Sequence, residues 1–193
     1  GQVGFLDAMV DGQGGSSMRH QLLAELRFRR PLTRAAMTTY LVVRDLRLRH
    51  NFTGFRFVPQ DLQTGAEPTP QGDMIEQQND SVTVGGEASY SRVLSLLGRQ
   101  HRLEAGVMWR HDRVDQDQRR LRDVDGGPWF TGVDAALSIV DIGLYGDLNL
   151  TLHPTLRLRA GIRADALSFR VEDRLESTAA RPRREAFGVH VGP

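Results

Sequence analysis

From residue 137 to 172 the chain alternates between apolar and polar positions. Ile142, Leu144, Gly146, Leu148, Leu150 and Leu152 occupy one phase, and Asp141, Gly143, Tyr145, Asp147, Asn149 and Thr151 the other. A period of two describes a strand with one apolar and one polar face. His153-Pro154 then turns the chain, because proline presets the dihedral that a tight turn needs. The alternation resumes with Leu156, Leu158, Ala160, Ile162 and Ala164 against Arg157, Arg159, Gly161, Arg163 and Asp165. Each arm runs for about 12 to 16 residues, where strands of globular proteins usually run about 5 or 6. At roughly 3.3 Å per residue and a tilt near 40°, about 12 residues rise about 30 Å along a barrel axis, enough to cross the apolar band of an outer membrane.

The same alternation marks further strands. In 18–29, Met18, His20, Leu22, Ala24, Leu26 and Phe28 oppose Arg19, Gln21, Glu25, Arg27 and Arg29, with Leu23 the exception. Leu22, Leu23 and Leu26 also share a helical face, and the neighbouring segments decide for strand. After a turn at Pro31, a strand over 36–52 carries Tyr40, Val42, Leu46 and Leu48 on its apolar face and Asp45, Arg47 and Arg49 on its polar face, with Arg44 misplaced among the apolar set. Strand 81–92 sets Val82, Val84, Ala88 and Tyr90 against Thr83, Glu87, Ser89 and Ser91. Strand 102–115 sets Leu103, Ala105, Val107 and Trp109 against Arg102, Glu104, Met108 and Arg110. The hairpin gives strands 137–151 and 156–172, and 186–191 starts one more.

Short connections through Pro31, Gly98 and Pro154 alternate with long polar ones over 53–80, 116–136 and 173–184. A loop as long as 53–80 is unusual in a compact soluble domain, but ordinary on the outward end of a membrane barrel. The expected fold is therefore all-β: an antiparallel up-and-down meander of six full strands and one partial, forming part of a transmembrane barrel. A small complete barrel or a soluble β-sandwich is the rival architecture.

Composition narrows the chemistry. The 193 residues carry a net charge of +1, which fits a single segment spanning 1–193 and gives no reason to expect nucleic acid as a partner. There is no cysteine, hence no disulfide frame or thiolate metal site. All 25 basic residues are arginine, which excludes a phosphate-loop or Schiff-base lysine within this stretch. A GC-rich genome explains that bias; so would guanidinium forks pairing carboxylates in a barrel lumen. No run of 18 apolar residues is present, so no transmembrane helix is expected, and none is needed by a barrel. Residue 1 is Gly and no signal peptide is visible, so a membrane barrel requires sequence upstream.

Candidate sites are sparse. His111 and Asp112, where a strand meets a loop, could activate water at a barrel rim, though a solvated strand end explains them more simply. Asp115, Asp117, Asp123 and Asp125 offer oxygens to calcium, but their spacing is not that of an EF-hand. Gly12, Gly14 and Gly15 lack the strand and lysine of a phosphate loop. Of the aromatics Tyr40, Tyr90, Trp109, Trp129 and Tyr145, the second and third suit a membrane-interface girdle, and Tyr145 on the polar face suits packing in a lumen. Asn51-Phe52-Thr53 and Asn149-Leu150-Thr151 match a glycosylation acceptor pattern, and the second, mid-strand, is put down to chance. The charges Glu25 and Arg27, Asp45 and Arg47, Arg102 and Glu104, Asp147 and Arg157 read as structural pairs across a wet lumen. No catalytic residue, metal or cofactor is expected, and no ligand contact is assigned.

The opening hairpin resembles the recurrent hairpin of TonB-dependent outer-membrane receptors: Tyr145 on the first strand, then Leu156, Leu158, Gly161, Arg163 and Asp165. Gln13-Gly14-Gly15-Ser16 and Asn51-Phe52-Thr53, followed by Asp73, Glu76 and Gln77, have the same texture. Leu148 and Ala164 stand where that family often has aromatics. Neither a plug domain nor a TonB box is visible, and Val191-Gly192-Pro193 lacks a terminal aromatic. The resemblance implies an internal piece of a barrel of roughly 22 strands, truncated at both ends and without its plug. It further implies an outer-membrane receptor and transporter rather than an enzyme. Such a protein takes up a scarce ligand (a metal chelate, cobalamin or a glycan), contacts outer-membrane lipid and engages the TonB complex through the plug.

Overall fold

The computed structural model describes residues 12–51, 74–122, 126–175 and 183–192. They form seven strands: β1 (Gly14–Arg30), β2 (Thr33–His50), β3 (Met74–Leu96), β4 (Arg99–Leu121), β5 (Pro128–His153), β6 (Leu156–Asp173) and β7 (Arg183–Gly192). They pair in chain order in one sheet, every pair antiparallel, which is the all-β meander that the alternation predicts.

One end of the sheet is closed by two-residue turns at Pro31-Leu32, Leu97-Gly98 and Pro154-Thr155. At the second of these, Leu97 and Gly98 both have positive φ, 52° and 72°, the conformation of a hairpin turn that follows strand twist. The other end differs from expectation. Segments 74–80, 116–121 and 128–136, read as loop, belong to β3, β4 and β5, which reach 23, 23 and 26 residues. Just beyond β4 and before β5, Arg122 N–H donates to Gly127 O and Gly126 N–H to Arg122 O. These segments remain strand because backbone pairing continues after facial alternation stops.

The register sorts side chains into two unlike faces. Leu26, Met37, Ala88, Val107, Leu144, Ala164 and Val191 are successive cross-strand partners, an unbroken apolar row over seven strands. One residue away, on the opposite face, run Glu25, Thr38, Glu87, Met108, Gly143, Asp165 and His190. Leu144, Leu148, Leu158 and Ile162 thus share one face, and Asp147, Arg157, Arg159 and Arg163 the other.

In β2 the observed phase is the reverse of the sequence reading. Leu41 pairs with Leu22 and Val84, so Met37, Leu41 and Val43 join the apolar face. Tyr40, Val42, Leu46 and Leu48 lie on the polar face, and so does Arg44, which is no longer misplaced. The two-residue turn pairs Arg30 with Thr33 and thereby fixes β2 against β1. Leu23, the exception in β1, stands opposite Tyr40 on that polar face.

The apolar face is banded. Arg30, Arg92, Arg99 and His101 rim it at the turn end, and inward of them it is apolar as far as Val43, Val82, Trp109 and Ile142. Beyond, its rows become Asp45, Asp80 and Asp115, then Arg47, Gln78 and Asp117. Along β5 the stretch Ile142–Leu152 rises about 25 Å at the usual strand rise and a tilt near 40°. Nothing packs on this band among the described residues: Leu22 is 68% exposed, Leu144 57% and Ile162 63%. Val42 and Leu121 are the only buried hydrophobic side chains among them. The sheet is one layer without a hydrophobic core, whereas a sandwich would bury one face against a second layer.

Candidate functional site

The polar face carries the ionisable groups in a mesh of short-range pairs. Asp112, 7% exposed, accepts hydrogen bonds from Thr83 Oγ1 at 2.6 Å and Arg110 Nη2 at 3.0 Å, while Arg110 Nε lies 2.7 Å from its second oxygen. Thr83 is its cross-strand partner, and Arg110 sits two positions along the same strand face. Arg163 forks onto Asp165 with Nε at 2.8 Å and Nη2 at 2.7 Å. Arg27 pairs with Glu25 at 2.5 Å and Arg102 with Glu104 at 3.3 Å, as expected from spacing. Asp147 pairs with Arg159 at 2.8 Å rather than with Arg157, because the register sets Gly161 opposite Asp147 and brings the diagonal neighbour into reach. The expected Asp45–Arg47 pair does not form. Both lie on the other face, where Arg47 turns to Glu76 at 2.6 Å.

Three aromatic side chains lie over glycines that face them across strands. A Cβ at Gly85 would stand 2.5 Å from Tyr40 Oη, one at Gly106 would run into the Tyr145 ring, and one at Gly86 would be 2.5 Å from Trp109 Cζ2. Tyr40–Gly85 and Tyr145–Gly106 are register pairs on the polar face, and Trp109–Gly86 is one on the apolar face. Tyr145 thus packs on the polar face as expected, and Tyr40 belongs there too. The sequence carried no signal for these contacts, because which glycine stands opposite an aromatic is fixed only by the register. Beside Tyr40 the polar face opens into a cavity of about 350 Å³ lined by Glu87, Met108, Arg110, Asp141, Arg163 and Asp165 among others. It is large enough for a small polar molecule.

Beyond the apolar band the strand extensions carry a second charge system. Glu76, 4% exposed, accepts from Arg49 Nε at 2.5 Å and Arg47 Nε at 2.8 Å. Burial alone would push its carboxyl up, but the Arg49 and Arg47 guanidiniums outweigh it and hold the group below the usual glutamate range. Asp80 is pushed up instead, first by a hydrogen bond shared with Asp45, then by burial and by the charges of Asp45, Asp115 and Asp117.

The remaining candidates separate. His111 and Asp112 point to opposite faces: the His111 ring lies 3.1 Å from Ser138 Oγ, while Asp112 is held by Thr83 and Arg110. Consecutive strand residues cannot form a dyad. Asp115 pairs with Arg174 at 2.5 Å and Asp117 with Arg119 at 2.8 Å. Asp123 and Asp125 lie outside the described residues, among which no group of three acidic or histidine side chains could hold a metal. Gly14 and Gly15 start β1, opposite Arg49 and Leu48. Asn149 is mid-strand on β5, and Phe52 and Thr53 of the other acceptor pattern are outside the described residues, as is Asp73. Trp129 packs beside Phe130, ring centroids 6.0 Å apart. No protein-family model matches the chain, and no curated protein matches it.

Proposed function

We propose that the chain forms part of the wall of an outer-membrane β-barrel, of the kind that TonB-dependent receptors use to take up a scarce ligand. The observation that carries this reading is the uncovered apolar band. A lone exposed leucine is ordinary, but a continuous apolar face across seven strands is not tolerated by water. Lipid tails cover such a face without a second protein layer. Along β5 the band's height of about 25 Å fits a bilayer's apolar zone in barrels of this type. The charged opposite face suits a wet lumen, and the polar strand extensions suit walls that continue above the bilayer.

The transport part rests on the resemblance of the β5–β6 hairpin to the receptor family, and the ligand class remains metal chelate, cobalamin or glycan. A barrel of another kind, porin-like or adhesin-like, would share the wall but not the energised uptake. The divergence of His111 and Asp112 argues against a hydrolase at that rim.

Expression of the intact gene in a Gram-negative host tests both parts. The protein should fractionate with the outer membrane and run differently on gels before and after boiling; recovery in a soluble fraction would refute the barrel. A full-length product with an upstream plug of roughly a hundred residues and a TonB box supports TonB-dependent uptake. A full-length product without them removes that part.

A further inference from the structure

Near the two-residue turns, the polar face holds a basic cavity that the ion-pair mesh leaves unneutralised. Its volume is about 180 Å³, and Arg27, Arg29, Arg34 and Arg102 line it together with Ser91 and Glu104. Arg29 and Arg34 are direct cross-strand partners on β1 and β2. Like charges placed opposite each other destabilise a strand pair. Several arginines of this face meet carboxylates, as Arg27 meets Glu25 and Arg102 meets Glu104; Arg19 and Arg44 are a second opposed pair on β1 and β2, in which Arg19 turns to Gln21. No ion pair or hydrogen bond joins the Arg29 or Arg34 side chain to another described residue. Ser91, only 8% exposed, sits beside Arg34 in register, and Arg102 Nη2 reaches its Oγ at 3.5 Å. Counting Glu25, the cluster keeps two positive charges in excess, concentrated on the two opposed guanidiniums.

We propose that this cavity is a binding site for an oxyanion, a phosphate or carboxylate group of a small ligand. Two planar guanidinium forks facing one small cavity match the paired oxygens of either group, and an anion between them removes the repulsion between Arg29 and Arg34. The Ser91 hydroxyl adds a neutral donor at the cavity floor. The cavity has room for one such group and not for a whole large ligand. The site itself stands on the polar face whatever lies against the apolar one. Its role, an exit-side subsite for a negatively charged group of the transported ligand, rests on the transport reading.

Binding is measured on the intact protein in detergent micelles by calorimetric titration with inorganic phosphate and, separately, with citrate. Saturable binding of at least one is expected. Tighter phosphate binding identifies a phosphate site and tighter citrate binding a carboxylate site. Arg34→Gln should weaken binding about tenfold or more, the loss of a charge-assisted bond, and Arg29→Gln combined with Arg34→Gln should abolish it. Arg34→Lys, which keeps the charge but not the fork, should fall between. Arg157→Gln, at an exposed arginine of the same face outside the cavity, should change nothing. Both arginines are exposed, so folding should survive, and circular dichroism of each variant verifies it. Absence of saturable binding to both anions, or equal binding by the double variant, overturns the site. Protein that inserts into vesicles without binding either anion overturns this inference alone; protein that binds but does not insert overturns the membrane reading alone.

Discussion

The Glu76 clamp ties β2 to β3 where the sheet leaves its apolar band, and its removal has a calculable consequence. The carboxylate of Glu76 holds the guanidiniums of Arg47 and Arg49, and Gln78 Nε2 donates to its other oxygen at 3.3 Å. A hydrogen bond to a charged group contributes about 1.5 to 3 kcal/mol. The Arg47 and Arg49 side chains are 45% and 37% exposed, so solvent screening reduces the two bonds together to about 2 kcal/mol. Glu76→Ala should therefore raise local opening of 44–50 and 74–80 roughly thirtyfold, read as faster amide hydrogen exchange there and not in β5 or β6. Glu76→Gln keeps one acceptor and should lose about half as much free energy. The pH dependence follows from a carboxyl held below its usual range in the folded state. The clamp's stabilisation is fully present above the unfolded pKa and is lost as pH falls through the folded one. Wild type and Glu76→Ala should thus differ at neutral pH and converge in acid. Exchange within twofold of wild type at neutral pH, or a loss spread evenly over the sheet, would refute the clamp.

Two glycine substitutions should differ in whether they can be rescued. The three atoms nearest a Cβ at Gly106 all belong to Tyr145, so Tyr145→Ala should relieve most of the cost of Gly106→Ala, about 1 to 3 kcal/mol; Gly85→Ala also meets Trp109 O at 2.8 Å, so Tyr40→Ala should relieve it only in part, with both cycles read from denaturant unfolding. Asp80→Asn should raise the melting temperature at neutral pH, a gain below about 1 kcal/mol. Because the Asp80 carboxyl is raised in the fold, wild type loses this part of its stability as pH rises past the usual aspartate range, and the gain should vanish below it. Leu97→Asn, at a positive φ on a side chain 91% exposed, should stabilise by roughly 1 kcal/mol, seen as a higher melting temperature with unchanged circular dichroism.

Strands such as β5 and β6 are legible because leucine keeps one phase and arginine or aspartate the other. β2 is ambiguous because Leu41, Val42 and Val43 put apolar side chains on both faces; its phase comes from the turn at Pro31-Leu32 and from neighbours outside the strand's own pattern. The extensions 74–80 and 116–121 carry polar side chains on both faces and 128–136 carries mainly apolar or small ones on both, Trp129, Phe130 and Val133 among them, so the period-two signal disappears while the hydrogen-bond ladder does not. Pairing partners were legible along a strand, as for Glu25 and Arg27, but not across strands. There a shift of two positions decides between Arg157 and Arg159 for Asp147. The opposed Arg29 and Arg34 could be recognised only once the β1–β2 register was known.

The central claim is that the face bearing Leu158 meets lipid and the face bearing Arg159 meets water. Leu158 stands opposite Leu150 and Arg159 opposite Asn149, on consecutive positions of β6. Exchanging the faces would turn Arg157, Arg159 and Arg163 toward lipid at roughly 2 to 4 kcal/mol each near the midplane and less toward the rims. Single cysteines are introduced as Leu158→Cys and Arg159→Cys in the intact protein, which has the advantage of lacking native cysteine over this stretch. The protein is then placed in lipid vesicles. The account predicts that a lipid-soluble probe reports position 158 and that a water-soluble thiol reagent labels position 159. The reverse pattern, or equal aqueous labelling at both positions, would contradict it.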